Sequence, residues 1–217
     1  MAVAPVNKFL TFSIPVAPGE QVIYSTPVGV SAILLYAQVS NVGVNTYPAV
    51  TFTHRRKTNR TGNIRNIRIV KNAEIPPEDA LVIIDGRYVL ERTALISDSI
   101  VIQGSQAGIV SVYDCKYNNL TGITTVTTYE NHNFSLGDEV TMAGLAFTCS
   151  SSPTIGITTT IFPFPQASFT VTNVGTSTVF TTNTGVIVGI AHTYVSGGRV
   201  GPLQMEFSCS ILENSNV

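Results

Sequence analysis

Residues 203–213, LQMEFSCSILE, place Met205, Phe207, Cys209 and Ile211 on one face of an extended chain and Glu206, Ser208 and Ser210 on the other. A two-residue period with one apolar face is a β-strand that needs a sheet to join. The residues just upstream, about 109–201, are rich in Thr, Gly and Asn and read as a self-contained unit, whereas residues 1–107 read as a sheet lacking its final strand. The expected fold is therefore all-β and nested. A β-sandwich or jelly-roll-like domain (1–107 plus 202–217) has a second small β-domain (108–201) inserted before its last strand. Such a two-lobed body suits a rigid building block better than an active-site cleft.

Period two recurs along the chain, in Val50-Thr51-Phe52-Thr53 and in the β-branched runs 64–70, 81–84, 88–90 and 99–102. No window of a dozen residues carries a 3.6-residue period, and frequent Gly and Pro would interrupt long helices. Asp85-Gly86 between LVII and RYVL predicts a type I′ hairpin, since both central positions of that turn need positive φ. Pro18-Gly19 and Pro27-Val28-Gly29 predict further hairpins, and Pro76-Pro77 predicts an extended connection.

The hydrophobic share of 44% over 217 residues is enough for one large or two small cores. Only 12% is charged, so much surface is left to Thr, Ser, Asn and apolar groups, which is tolerable where neighbouring subunits cover it. An assembled protein is expected; the plainer alternative is a monomeric sandwich with a Thr-rich surface. No apolar run approaches the roughly 20 residues of a membrane span, and residues 1–8 lack the basic-then-apolar order of a secretory signal. Cys115, Cys149 and Cys209 are odd in number with no CxxC spacing, so no metal site or disulfide framework is indicated, and they read as small buried hydrophobes. A Cys115–Cys149 bridge is the alternative.

Charge is segregated. Residues 21–73 contain no acid, yet Arg55, Arg56, Lys57, Arg60, Arg65, Arg68 and Lys71 crowd into seventeen positions. Residues 55–63 read as a hairpin tip carrying four cations, with Arg65 and Arg68 projecting from the next strand. These cations suit a contact with an acidic protein neighbour or with phosphate; a solvated loop is the bland alternative. Nucleic acid is the weaker version, because no aromatic stacking platform accompanies the arginines. Glu74, Glu78, Asp79 and Asp85 could answer the cations across an interface between copies.

Catalysis finds little support, since GxSxG, HExxH and GxxxxGK[ST] are all missing from the sequence. His54, His132 and His192 are far apart and read as hydrogen-bonding surface or edge residues. Adjacent Asp138 and Glu139 point to opposite faces of a strand and make a poor acid/base pair. Phe162-Pro163-Phe164-Pro165 reads either as a loop packed on its own core or, with Tyr129 and His132, as a ligand surface for a host glycan.

Two sets of residues carry a resemblance. TTVT within 123–128, NHNFSLGDEV at 131–140, GLAFTC at 144–149 and HTYVSGG at 192–198 together resemble a module recurring in virion proteins of tailed phages, especially those infecting marine cyanobacteria. Residues 21–33, 81–91 and 210–213 are similar to strands of small β-domains from phage heads, necks and tails. The basic 55–71 segment has no counterpart in that resemblance. It implies a virion structural protein, made in the bacterial host cytoplasm, without an enzymatic activity or a cofactor. It would assemble in multiple copies with itself and other virion proteins as a head-decoration, neck or tail connector part. The alternative function is a receptor-binding or host-glycan-binding tail protein. Arg55, Arg56, Lys57, Arg60, Arg65 and Arg68 are the expected protein interface, and Tyr129, His132, Phe162 and Phe164 the expected ligand or contact surface.

Overall fold

A computed structural model describes residues 6–151, 157–161, 167–186 and 190–215. Every regular element among them is a strand. In chain order these are β1 (Val6–Pro15), β2 (Glu20–Ser25), β3 (Val30–Asn41), β4 (Ala49–Thr58), β5 (Ile64–Glu74), β6 (Ala80–Glu91) and β7 (Ile96–Ser105). They are followed by β8 (Val110–Tyr117), β9 (Ile123–Thr128), β10 (Glu139–Ala143), β11 (Ala146–Ser151), β12 (Ile157–Ile161), β13 (Ser168–Thr176), β14 (Val179–Asn183), β15 (Ile190–Ser196) and β16 (Arg199–Pro202), and last by β17 (Met205–Ser215). The chain divides into two compact units. One holds Met1–Val16, Glu20–Ser105 and Gln204–Val217, and the other Ala17–Gly19 and Gln106–Leu203.

The first unit consists of two four-stranded antiparallel sheets, β1-β17-β3-β6 and β2-β7-β4-β5. Its strands pair in nested fashion, β4 with β5, β3 with β6, β2 with β7 and β1 with β17, as one long antiparallel ribbon folded over on itself. That wrapping, with successive strands alternating between sheets except at the β4–β5 hairpin, is the eight-stranded jelly roll. β17 lies between β1 and β3, with its apolar face in the core. Phe207, Cys209 and Ile211 are buried between the sheets, and Phe207 stacks on Phe52 of β4 at 5.7 Å between ring centroids. Tyr24 of β2 reaches the other sheet by donating to Glu213 Oε1 at 2.8 Å. Burial, and then the carboxylate beside it, pushes the Tyr24 phenol well above its usual pKa.

Three local expectations are corrected. Asp85-Gly86 is not a hairpin turn: β6 runs straight through it against β3, with Gly86 and Arg87 opposite the single residue Leu35. The positive φ of Gly86, 148°, serves a β-bulge, because the register available to β3 along its whole length outweighs the local preference for a turn. Pro18-Gly19 and Pro27-Val28-Gly29 do separate strands, but each carries the chain between sheets, since β2 pairs with β7 while β1 and β3 lie beside β17. Pro76-Pro77 opens a tight turn closed by Asp79 N donating to Pro76 O, with Glu78 at φ 58°.

The second unit closes on itself. From β8 the pairing runs through β16, β10, β13, β14 and β9 and returns to β8, every step antiparallel. A ring of strands has no free edge, and its interior is filled by Val112, Cys115, Val126, Val140, Met142, Val171 and Phe180. β15 joins β8 beyond the stretch taken by β16 and carries β11 and then β12. Threonine supplies part of the interior, with Thr124 and Thr128 buried and their hydroxyls bonded to Thr184 Oγ1 (2.6 Å) and Glu130 O (2.6 Å). Gly122 is positioned where a Cβ would sit 2.6 Å from the Gly185 backbone, so the two turns can close together only with glycine there.

Candidate interaction surface

The basic segment is strand rather than loop. β4 extends to Thr58 because it pairs with β7 as far as Thr58↔Ile96, leaving only residues 59–63 as the turn into β5. Alternation then sorts its cations. Phe52, His54 and Arg56 face the interior, while Arg55 and Lys57 face outward.

On the interior side a polar cluster has formed that the sequence did not announce. Asp98 of β7, directly opposite Arg56, has no exposed side-chain surface. It accepts two parallel bonds from Arg56, Nε to Oδ1 and a terminal nitrogen to Oδ2, each 2.7 Å, and a third from Glu91 N at 3.0 Å. His54 Nε2 lies 3.1 Å from Asp98 Oδ1 without hydrogen-bond alignment, and His54 Nδ1 is 2.8 Å from Tyr88 Oη. Burial of Asp98 pushes its pKa up, but Arg56, the Glu91 amide and His54 outweigh that and hold it below the ordinary carboxylate value. His54, read as a surface or edge residue, is thus 4% exposed and part of this inter-sheet cluster.

On the outer face Arg55 bonds Glu20 Oε2 at 2.5 Å and Asn66 Oδ1 at 3.0 Å. Arg55, Lys57 and Arg92, with Ser97 and Ser99, line a hollow of about 190 Å³. The expected interface residues therefore divide. Arg55 and Arg56 are committed to Glu20 and Asp98, whereas Lys57, Arg60, Arg65 and Arg68 have no acidic partner within 4 Å among the described residues. Arg65 lies opposite Arg56, a like-charge pair across strands that Asp98 relieves only on the Arg56 side. Among the described residues β5 has no further strand beside it, and its residues 64–68 are all exposed.

Of the second expected surface, Tyr129 and His132 lie among the described residues. Tyr129 is exposed, but His132 is buried, packed between Phe134 and Phe180, with Nδ1 accepting from Phe134 N at 2.9 Å and Nε2 3.2 Å from Thr176 O. An imidazole with both nitrogens used internally offers nothing to a ligand, which corrects its place on that surface. Phe162 and Phe164 lie outside the described residues. His192 is partly buried against Tyr117 and Phe147, and burial lowers its pKa. Cys115 and Cys209 are buried free thiols, each pushed by burial up to about 12; the Cys149 side chain lies outside the described residues. Among the described residues no group of three His, Cys, Asp or Glu could hold a metal ion, and no helix is long and apolar enough to cross a membrane.

No protein-family model and no curated protein matches the sequence. Among solved structures, the infectious bursal disease virus VP2 subviral particle aligns over 100% of this chain and 42% of its own, at 7% identity and a TM-score of 0.30. The chain thus spans about two fifths of the length of that protein. The Sulfolobus Turreted Icosahedral Virus structure aligns over 96% and 90% of the two chains at 6% identity and a TM-score of 0.24. The CBM22-1-CBM22-2 tandem domain of Paenibacillus barcinonensis Xyn10C aligns over 88% and 80% at 11% identity and a TM-score of 0.22. Similarities of this size carry no functional argument.

Proposed function

We propose that this protein is a structural component of a virus particle, assembling in multiple copies through protein–protein contacts. The observation that carries the reading is the polarity of β5. This open-edged strand of a jelly roll bears Arg65, Arg68 and Lys71, the two arginines without an acidic partner among the described residues, and then ends on Glu74, followed by Glu78 and Asp79 in the next turn. Nine steps at about 3.3 Å separate Arg65 from Glu74 by roughly 30 Å. Opposite charge at the two ends of one strand favours head-to-tail contact between copies, a heterologous interface that makes rings where the rotation closes. Jelly rolls serve widely as capsid modules, and low surface charge suits a protein covered by neighbours. Within that reading we favour a head-decoration, neck or tail connector part of a tailed phage, as the resemblance of residues 123–149 and 192–198 implies.

Mass and stoichiometry of purified particles, separated into heads and tails, test the placement. Replacing Lys57, Arg60, Arg65 and Arg68 together by alanine is expected to abolish incorporation while leaving the fold intact. Normal incorporation of that variant would remove the cationic edge from the proposal.

A further inference from the structure

The second unit carries a cleft that the assembly reading leaves unused. Its parts are scattered in sequence: Ser111 and Tyr113 on β8, Tyr129 just after β9, Tyr194 and Val195 on β15, and Arg199 at the start of β16. They converge because β8 borders β9 on one side and β16 and then β15 on the other. Val110 and Val112 point into the ring, so Ser111 and Tyr113 are directed outward, and Ser111 is paired with Arg199. Tyr129 is held beside them by its amide, which donates to Ser111 O at 3.0 Å. Together these residues line a cleft of about 450 Å³, within the usual size of ligand sites.

Its chemistry is specific. Tyr113 and Tyr129 are 61% and 65% exposed and meet edge to face, with ring centroids 5.2 Å apart. Their hydroxyls bond no protein group among the described residues, so each ring offers an apolar face and a free polar tip. Tyr194 is already fixed, its hydroxyl donating to Gly197 O at 2.7 Å, which makes part of the wall rigid. Arg199 has no acidic partner within 4 Å among the described residues. The neighbouring carboxylate, Glu130, instead accepts from the Ser111 amide at 3.3 Å. Two adjacent exposed aromatic rings cost little side-chain entropy on binding and suit flat, partly apolar ligands that also need hydrogen bonds. An unpaired guanidinium beside them adds a preference for a carboxylate, which it can bind through two parallel N–H groups.

We infer that this cleft binds an acidic saccharide, with a sugar ring against Tyr113 and Tyr129 and its carboxylate on Arg199. The site shares Tyr129 with the ligand surface expected from sequence and adds Tyr113, Tyr194 and Arg199, whereas His132 is buried elsewhere in the unit. It does not depend on the virion assignment.

The test is binding of the full chain to an array holding neutral glycans and glycans bearing glucuronate, galacturonate or sialate. Hits are then titrated calorimetrically as the free acid and as its methyl ester, which removes the charge but keeps the ring. Binding to at least one acidic glycan is expected, weakened about tenfold or more by combined Tyr113→Ala and Tyr129→Ala. Arg199→Gln should bring the acid and its ester to equal affinity. Both tyrosines are exposed, so an unchanged melting temperature is expected for the double variant. No binding to any acidic glycan overturns the assignment, as does binding that survives the double tyrosine variant. A change of oligomeric state in that variant without glycan binding would make the cleft a contact between copies and also overturn it. Particle incorporation, scored on the same variants, reads the assembly proposal separately.

Discussion

The two units solve the sheet-edge problem in opposite ways. Among the described residues the first leaves β1, β6, β2 and β5 as open edges, and two of these are rich in charge, with Arg65, Arg68, Lys71 and Glu74 on β5 and Asp85, Arg87 and Glu91 on β6. In the second, six strands close into a ring, and residues 106–203 contain only Asp114, Lys116, Glu130, Asp138, Glu139 and Arg199 as charged residues. An exposed edge presents unpaired N–H and C=O groups to any passing strand, and charged side chains and bulges keep wrong partners away. A closed ring has no such groups to guard. The Thr- and Gly-rich composition that marks the second unit in the sequence is thus one that a closed sheet tolerates. The exception, β12, lies outside the ring and carries no charge.

Variants can break or sharpen this contrast. The largest effect is expected for Phe207→Ala, which empties the stack on Phe52 and should cost about 3–5 kcal/mol by chemical denaturation. We propose that the units fold independently. Hydrogen exchange in Phe207→Ala should then lose protection across β3, β4 and β7 while β9 and β14 keep theirs; equal loss in both would show one cooperative body.

Asp98→Asn comes next, at about 1.5–3 kcal/mol, because it weakens charge-assisted bonds from Arg56 and leaves that cation under-compensated. Its pH signature is defined. The folded pKa of Asp98 lies below its unfolded value, so its stabilisation is complete above roughly pH 4 and is lost as pH falls through the folded pKa. Urea unfolding at pH 7 and below pH 4 should show a shallower acid loss in Asp98→Asn than in the parent chain.

Gly86→Val should cost about 1–2 kcal/mol, because a β-branched residue is strained at the positive φ of the β6 bulge. A change near zero in its melting curve would mean that β6 can shed the bulge. The smallest effect is expected for Lys57→Ala or Arg60→Ala, within about 0.5 kcal/mol, since neither side chain has an acidic partner among the described residues. Any loss these two cause should therefore appear in assembly assays and not in thermal unfolding.

Legibility in the sequence tracked the range of the forces involved. The alternation of Met205, Phe207, Cys209 and Ile211 was enough to say that this strand has one buried face, because side-chain direction in a strand is fixed by covalent geometry. The Asp85-Gly86 signal misled because turn propensity is worth little against a ladder running the whole length of β3. The cation cluster was visible, but its division was not: Arg56 and Lys57 are neighbours in sequence, and the pairing of Arg56 with Asp98, 42 residues away, commits one and leaves the other without an acidic partner among the described residues. The same holds for the tyrosine cleft, whose members come from β8, β15 and the turn after β9.

By itself the sequence determined an all-β chain, the buried face of its last strand and the uneven placement of charge, since each of these follows from side-chain chemistry read locally. Tertiary structure alone decided the jelly-roll order, the closure of the second sheet, the clamp on Asp98 and the convergence of Tyr113, Tyr129 and Arg199. Those depend on which strands become neighbours, and neighbour choice is set by the summed burial and hydrogen bonding of whole strands rather than by any short stretch of residues.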